Sequence, residues 1–350
     1  MVALVVELAA GYREHDDALG LSEVAEDIFH DNRTGKNGWH GMPGQFRQSV
    51  FGLGGGYDDV NDAERLGRDP TMRWIVSGKA VERQAATTSQ MGRFETEPLA
   101  TDANLEALGD MNGVWIDKAY DRHPPKMINL DMDSSVSPTH GEQEGSAYNG
   151  HFSCSCYHPL FLFNQFGDLE RCSLRPGNVH SADGWRDALD PVVERYRDRK
   201  LHRCFRGDAT FASPEIYEFL ETECFLYTIR LPKNQILQDS IAHLLSRPVG
   251  RPPNHVRRYY ASFSYQAKSW NRKRRVVAKV DWHPGEILPR VGFIVTNLLR
   301  PAERVGGLLQ STGQSGAIHQ GRQARHQMDP AVMPQVPRQR SSSPASRPGL

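Results

Sequence analysis

Between Met127 and Asp133 apolar and polar side chains alternate without a break. Ile128, Leu130 and Met132 fall on one side of the chain, and Asn129, Asp131 and Asp133 on the other. A period of two belongs to an extended strand with one buried face, so this segment must join a sheet. Upstream of Pro124-Pro125 the texture is different. Leu21, Val24, Ala25, Ile28 and Phe29 recur at helical spacing with Gly35 as a stop, and a further helix is predicted from near Thr101 with Leu105, Leu108, Met111 and Trp115 inward. Gly109 and Gly113 weaken that second helix. Gly52, Gly54, Gly55 and Gly56 lack both the spaced third glycine of a dinucleotide site and a Gly-Lys-Ser/Thr ending, and read as a flexible turn.

Downstream, residues 157–164 form a second strand, Gly167-Asp168 a turn and residues 169–174 a third strand. Trp185, Leu189, Val192, Val193 and Tyr196 mark a helix that Pro191 kinks or splits. A short strand ends at Asp208. Ser213-Pro214-Glu215 starts a helix whose Ile216, Phe219 and Leu220 face inward, and residues 225–230 return as a strand. Residues 257–265 and 275–283 predict a hairpin, and residues 291–298 a last strand. Three strands, helix, strand, helix, strand is the order of an α/β fold with a mixed sheet.

Whole-chain charge balances at 42 basic against 42 acidic residues, which excludes both a supercharged arm and an acidic solvating protein. The balance breaks locally. Residues 240–280 hold ten Lys or Arg and no acid, interleaved with Tyr259, Tyr260, Phe263, Tyr265 and Trp270. Arg251, Arg257, Arg258, Lys268, Trp270, Arg272, Lys273, Arg274 and Arg275 are the candidate DNA-binding residues, the cations for phosphates and the ring for exposed bases. A solvated basic hairpin is the plainer reading. Residues 306–350 hold no Phe, Tyr, Trp or Lys and one acid, Asp329, a composition too poor in apolar surface to order itself. Five cysteines point to a reducing compartment rather than a disulfide scaffold, and Glu7 interrupts the apolar stretch near the start, which lacks a preceding basic region. A cytoplasmic protein is expected. His151, Cys154, Cys156 and His158 match no common zinc spacing, and alternating cysteines on a strand also pack plainly.

Asp133 at the end of the first strand and Asp208 at the end of a later one are the candidate catalytic and metal-binding residues. Carboxylates on two neighbouring strands converge on one sheet edge, where a hard divalent cation takes their oxygens together with those of phosphate. Spacing alone leaves open that they are ordinary strand-end aspartates.

The surrounding words bear on that choice. Leu130-Asp131-Met132-Asp133-Ser134-Ser135, the run from His140 to Gly150, Tyr157-His158-Pro159-Leu160, Arg175-Pro176-Gly177-Asn178-Val179-His180-Ser181 and Phe205-Arg206-Gly207-Asp208-Ala209-Thr210-Phe211 resemble, in order, the DDE transposases of bacterial insertion sequences. The resemblance runs over about residues 15–305. It implies a ribonuclease H-like mixed sheet with flanking helices and a β-rich insertion, here at about 231–290 within a core of residues 126–305. An N-terminal helical region that binds DNA ends, 1–125, would precede it, and a disordered tail, 306–350, would follow. It further implies Asp133 and Asp208 as the first two catalytic acids, Mg2+ or Mn2+ as cofactor, and transposon-end and target DNA as partners of a protein that dimerises on DNA. Asp131 has no assigned role and is a neighbour of Asp133. The subgroup's Tyr-Arg-Glu-Lys signature should follow Arg300-Pro301-Ala302-Glu303-Arg304-Val305, but the last Tyr is Tyr265 and the last Glu is Glu303. The expectation is a transposase lacking its third acid, its tail an out-of-frame reading, with little strand-transfer activity. The alternatives are a non-catalytic DNA-binding remnant and a chain that folds poorly without its closing helix.

Overall fold

The computed structural model describes residues 11–308 apart from 12, 34–39, 58, 78, 140, 142, 248–249 and 251–253. Helices come first: residues 13–19, then Leu21–Ile28, Met42–Gly54, Pro70–Val76, Thr88–Thr96 and the long Asp102–Arg122. Val24, Phe29, Met42, Phe46, Met91, Phe94 and Met111 meet in a shared core, Phe29 and Phe46 edge to face at 5.4 Å. The helix Leu21–Ile28 stops at Ile28, and Gly35 lies outside the described residues.

Two helical expectations change. The glycine patch is not a free turn. Met42–Gly54 stays helical through buried Gly52, and only Gly55 caps it, followed by Gly56 at φ 83°. The helix Asp102–Arg122 forms, but on a rotated face. Leu105 is 52% and Leu108 36% exposed, while Asn104, Met111, Gly113, Ile116 and Tyr120 are buried. Buried polar contacts decide the rotation. Asn104 accepts from the His30 amide at 2.8 Å and donates to Pro98 O at 2.7 Å, and Gly113 lies so close to Arg195 that a Cβ there would overlap the guanidinium. Glycine here costs the helix about 1 kcal/mol against alanine, and a larger residue would have to displace the Arg195 guanidinium.

The strands are β1 Met127–Ser134, β2 Ser137–Pro138, β3 Ala147–Asn149, β4 Cys154–Tyr157, β5 Leu160–Phe163, β6 Leu169–Ser173, β7 His202–Gly207, β8 Leu226–Leu231, β9 Arg257–Tyr265, β10 Arg274–Trp282 and β11 Arg290–Thr296. Eight form one sheet in the order β6-β5-β1-β7-β8-β11-β10-β9, and β2-β4-β3 form a small second one. β1, β7 and β8 run parallel, and the other pairs of the large sheet are antiparallel. This is the mixed α/β sheet expected of a ribonuclease H-like chain. The predicted strand over 157–164 is instead divided at His158-Pro159, because proline cannot donate to a ladder. Its first part belongs to the small sheet and its second to the large one. The basic hairpin β9–β10 is continuous with the large sheet through β11 and β8.

One face of the sheet carries the main core. Leu130, Phe205, Ile229, Val276 and Val295 pack with Leu189, Val192, Tyr196, Ile216 and Leu220 from the helices Trp185–Arg197 and Pro214–Thr222. The first of these runs through Pro191 without splitting. The second starts at the expected Ser213-Pro214, although the Ser213 hydroxyl goes to the Glu215 carboxylate rather than to the backbone. Fully buried Glu170 on β6 accepts from Tyr196 at 3.0 Å and Asn164 at 2.9 Å and is paired with Arg195. Asn164 also reaches Tyr120 at 3.0 Å, so this network ties the N-terminal helices to the sheet. On the opposite face the helix Ala302–Leu308 buries Val305 against Val277, Ile294 and Leu298. Helical structure therefore runs past the expected boundary at 306, and residues 309–350 lie outside the described ones. Leu220→Ala is expected to cost about 2–5 kcal/mol through the lost contacts and the cavity left, read from the denaturant midpoint. A broad transition that the substitution leaves unmoved would argue against a packed core.

Candidate active site

Parallel pairing of β1 with β7 sets the site. The register runs from Met127 opposite His202 to Met132 opposite Gly207, so the next level places Asp133 beside Asp208. The fit is tight at this point: a Cβ on Gly207 would lie 3.3 Å from both Phe205 and Phe211. Asp208 begins the short turn Ala209–Phe211. One of its oxygens accepts from the Thr210 amide at 2.9 Å, and the other from the Thr210 hydroxyl at 3.2 Å. Asp133, half-buried, accepts from the Ser134 amide at 2.9 Å. Burial pushes the Asp133 carboxyl above the usual range. The Ser134 hydrogen bond works against this, and the negative charges of Asp208 and Asp131 add to it. Two carboxylates close enough for the charge of Asp208 to raise the proton affinity of Asp133 are the donor chemistry a divalent cation satisfies, so these residues fit such an ion.

The predicted polar side of β1 is not open to water along its length. Asp131 is buried and clamped by Arg206 directly across the ladder, Nε donating to Oδ1 at 2.5 Å and Nη2 to Oδ2. Arg206 was not singled out by sequence reasoning. Its position two residues before Asp208, matching Asp131 before Asp133, was the available signal. Glu303 does not complete the pair. It is on the helix Ala302–Leu308 and acts on Tyr260 of β9, at the far end of the sheet. Among the described residues no group of three His, Cys, Asp or Glu is placed to hold a metal ion, His151, Cys154, Cys156 and His158 included.

The basic window divides. Arg258, Lys268, Arg272 and Lys273 are exposed, Arg257 and Arg275 half-buried, and Arg251 lies outside the described residues. Arg258 comes within 3.9 Å of Asp281. Arg275 donates to Ser262 Oγ at 2.9 Å and to Leu298 O. Two members are core residues instead. Trp270 is 5% exposed and packs edge-on against Tyr217 at 5.3 Å and Tyr265 at 5.4 Å. Arg274 is 4% exposed, stacks on Tyr217 and donates twice to Glu221, each at 3.0 Å. Strand alternation separates Arg274 from its neighbour Arg275, since the two must point to opposite faces. A cavity of about 700 Å³ lies beside Ala209, lined by Arg230, Lys233, Lys279, Asp281 and Arg290.

A family model described as transposase DDE domain, group 1, matches residues 11–312. The chain belongs to that family. No curated protein matches it. For a transposase of this family the chemistry is metal-dependent DNA cleavage with DNA as substrate. Among the described residues no helix of this transposase chain is long and apolar enough to cross a membrane.

Proposed function

We propose that the chain binds transposon-end DNA, holds a divalent cation between Asp133 and Asp208, and carries out little or no strand transfer. The observation that carries the reading is the register of β1 and β7, which brings two acids to one level, together with the lack of any Glu after residue 303. Mg2+ or Mn2+, when bound, supplies charge neutralisation at a phosphoryl oxygen and a more acidic water. The chain's own part is to hold the carboxylates. Asp208 is fixed by two hydrogen bonds from Thr210 and Asp133 by one from Ser134. Exposed Arg258, Lys268, Arg272 and Lys273 face solvent and serve as phosphate contacts, with dimerisation on DNA as the expected assembly. Trp270 and Arg274 are left out of that surface because they are buried.

The test uses the full-length protein with supercoiled plasmid and either Mg2+ or Mn2+. Gel-shift binding without nicking above the metal-only background is expected. Robust nicking that is lost in Asp133→Asn overturns the inactivity, and absence of any shift overturns the DNA binding. Asp208→Asn is expected to weaken Mn2+ binding about tenfold or more, since even partners of metal ligands are worth that much. Its DNA affinity is expected to hold or rise slightly. Calorimetry and fluorescence anisotropy read the two quantities separately.

A further inference from the structure

Asp131 and Arg206 repeat, two residues back on the same two strands, the relation between Asp133 and Asp208. Side chains two apart on a strand share a face and lie about 6–7 Å apart along it, so Asp131 is a third carboxylate on the face that carries Asp133. A hard cation accepts whichever carboxylate oxygens are offered. Both oxygens of Asp131 are occupied by the Arg206 fork, an arrangement that matches a carboxylate's geometry and is stronger than neutral hydrogen bonding. The pair is 7% and 9% exposed. Buried ion pairs contribute little net stability against apolar residues of similar size, so folding energy alone does not account for placing one here.

We infer that Arg206 is a positioning residue for the cation: by engaging Asp131 it keeps that carboxylate out of the ligand set and leaves Asp133 and Asp208 to meet the ion. The inference rests on the reading of those two aspartates as ligands. It gives a role to the Arg-Gly-Asp word in which Arg206 stands. Arg206 masks one acid, Gly207 lets the strand end close against Phe205 and Phe211, and Asp208 is presented to the ion.

The experiment titrates Mn2+ into the full-length protein without DNA and reads loss of the free-ion signal by electron paramagnetic resonance. In Arg206→Met the unmasked Asp131 tightens Mn2+ binding about tenfold, and Asp133→Asn no longer removes it. The double variant Arg206→Met with Asp131→Asn removes both charges of the pair together. Its affinity returns to within about threefold of the parent and again depends on Asp133. A double variant weakened about tenfold or more makes Asp131 itself a ligand and overturns the inference, as does an Arg206→Met protein that folds with parental affinity. If Arg206→Met does not fold, the double variant decides alone. Parental protein whose Mn2+ binding survives Asp133→Asn removes the ligand assignment and this inference with it. Binding lost in Asp133→Asn but weakened in the double variant removes the inference only.

Discussion

Raising salt from about 50 to about 200 mM weakens binding of the full chain to duplex DNA by about 10³-fold or more, the response expected when six or more phosphates are neutralised and their counterions released. The cations for this remain after burial is taken into account: Arg257, Arg258, Lys268, Arg272, Lys273 and Arg275 along the β9–β10 hairpin, with Arg230, Lys233, Lys279 and Arg290 around the neighbouring cavity. Fluorescence anisotropy on a labelled duplex gives the slope of log affinity against log salt. Arg258→Ala and Lys273→Ala are each expected to lower that slope by about one phosphate's worth. A response flat in salt would mean that the basic hairpin is a solvated surface and no more. Arg274→Ala separates charge from exposure, since it removes a cation that faces the core; its slope should be that of the parent.

Glu221→Ala is expected to destabilise the protein by about 3 kcal/mol or more, because it leaves Arg274 buried without its counter-charge. The carboxylate accepts from Arg274, from Arg272 and from the Tyr227 hydroxyl at 2.9 Å. Burial alone would raise its pKa, but the hydrogen bonds from Arg274, Arg272 and Tyr227 outweigh it and hold the carboxyl below its usual range. The sign follows directly. A depressed folded pKa contributes stability that is fully present above the unfolded value, about 4.3, and is lost as pH falls through the folded one. The difference in unfolding midpoint between parent and Glu221→Ala should therefore be constant near neutral pH and narrow in acid. A difference that widens on acidification would contradict the arrangement. Replacing the pair together, with Leu at 221 and Met at 274, should recover most of the loss.

Much of the architecture was legible because it depends on local periodicity. The alternation from Ile128 to Asp133 identified β1, helical spacing from Trp185 to Tyr196 identified its helix, and Asp133 near the end of β1 and Asp208 just after β7 stood out by their places at strand ends. What was missed depends on partners distant in the chain. Nothing near Trp270 announces that Tyr217 and Tyr265 close over it, so an aromatic among cations resembled a base-stacking ring. The inward face of the helix Asp102–Arg122 is chosen by Asn104 and by the Gly113–Arg195 contact, not by its leucines. Composition near Gly52 could not show that a helix would carry those glycines to its end. Arg206 passed unnoticed because its significance lies in a partner 75 residues earlier.

The unbroken ladder from β1 to β9 fixes a length. Five strand-to-strand steps, β1-β7-β8-β11-β10-β9, at about 4.8 Å each span about 24 Å, or roughly seven base pairs at 3.4 Å per pair. With both carried on one sheet, a duplex gripped at the outer hairpin would meet the acid pair at a set offset from the grip. Such a sheet works as a ruler, and footprinting should find the protected stretch displaced to one side of the position where the carboxylates approach the backbone.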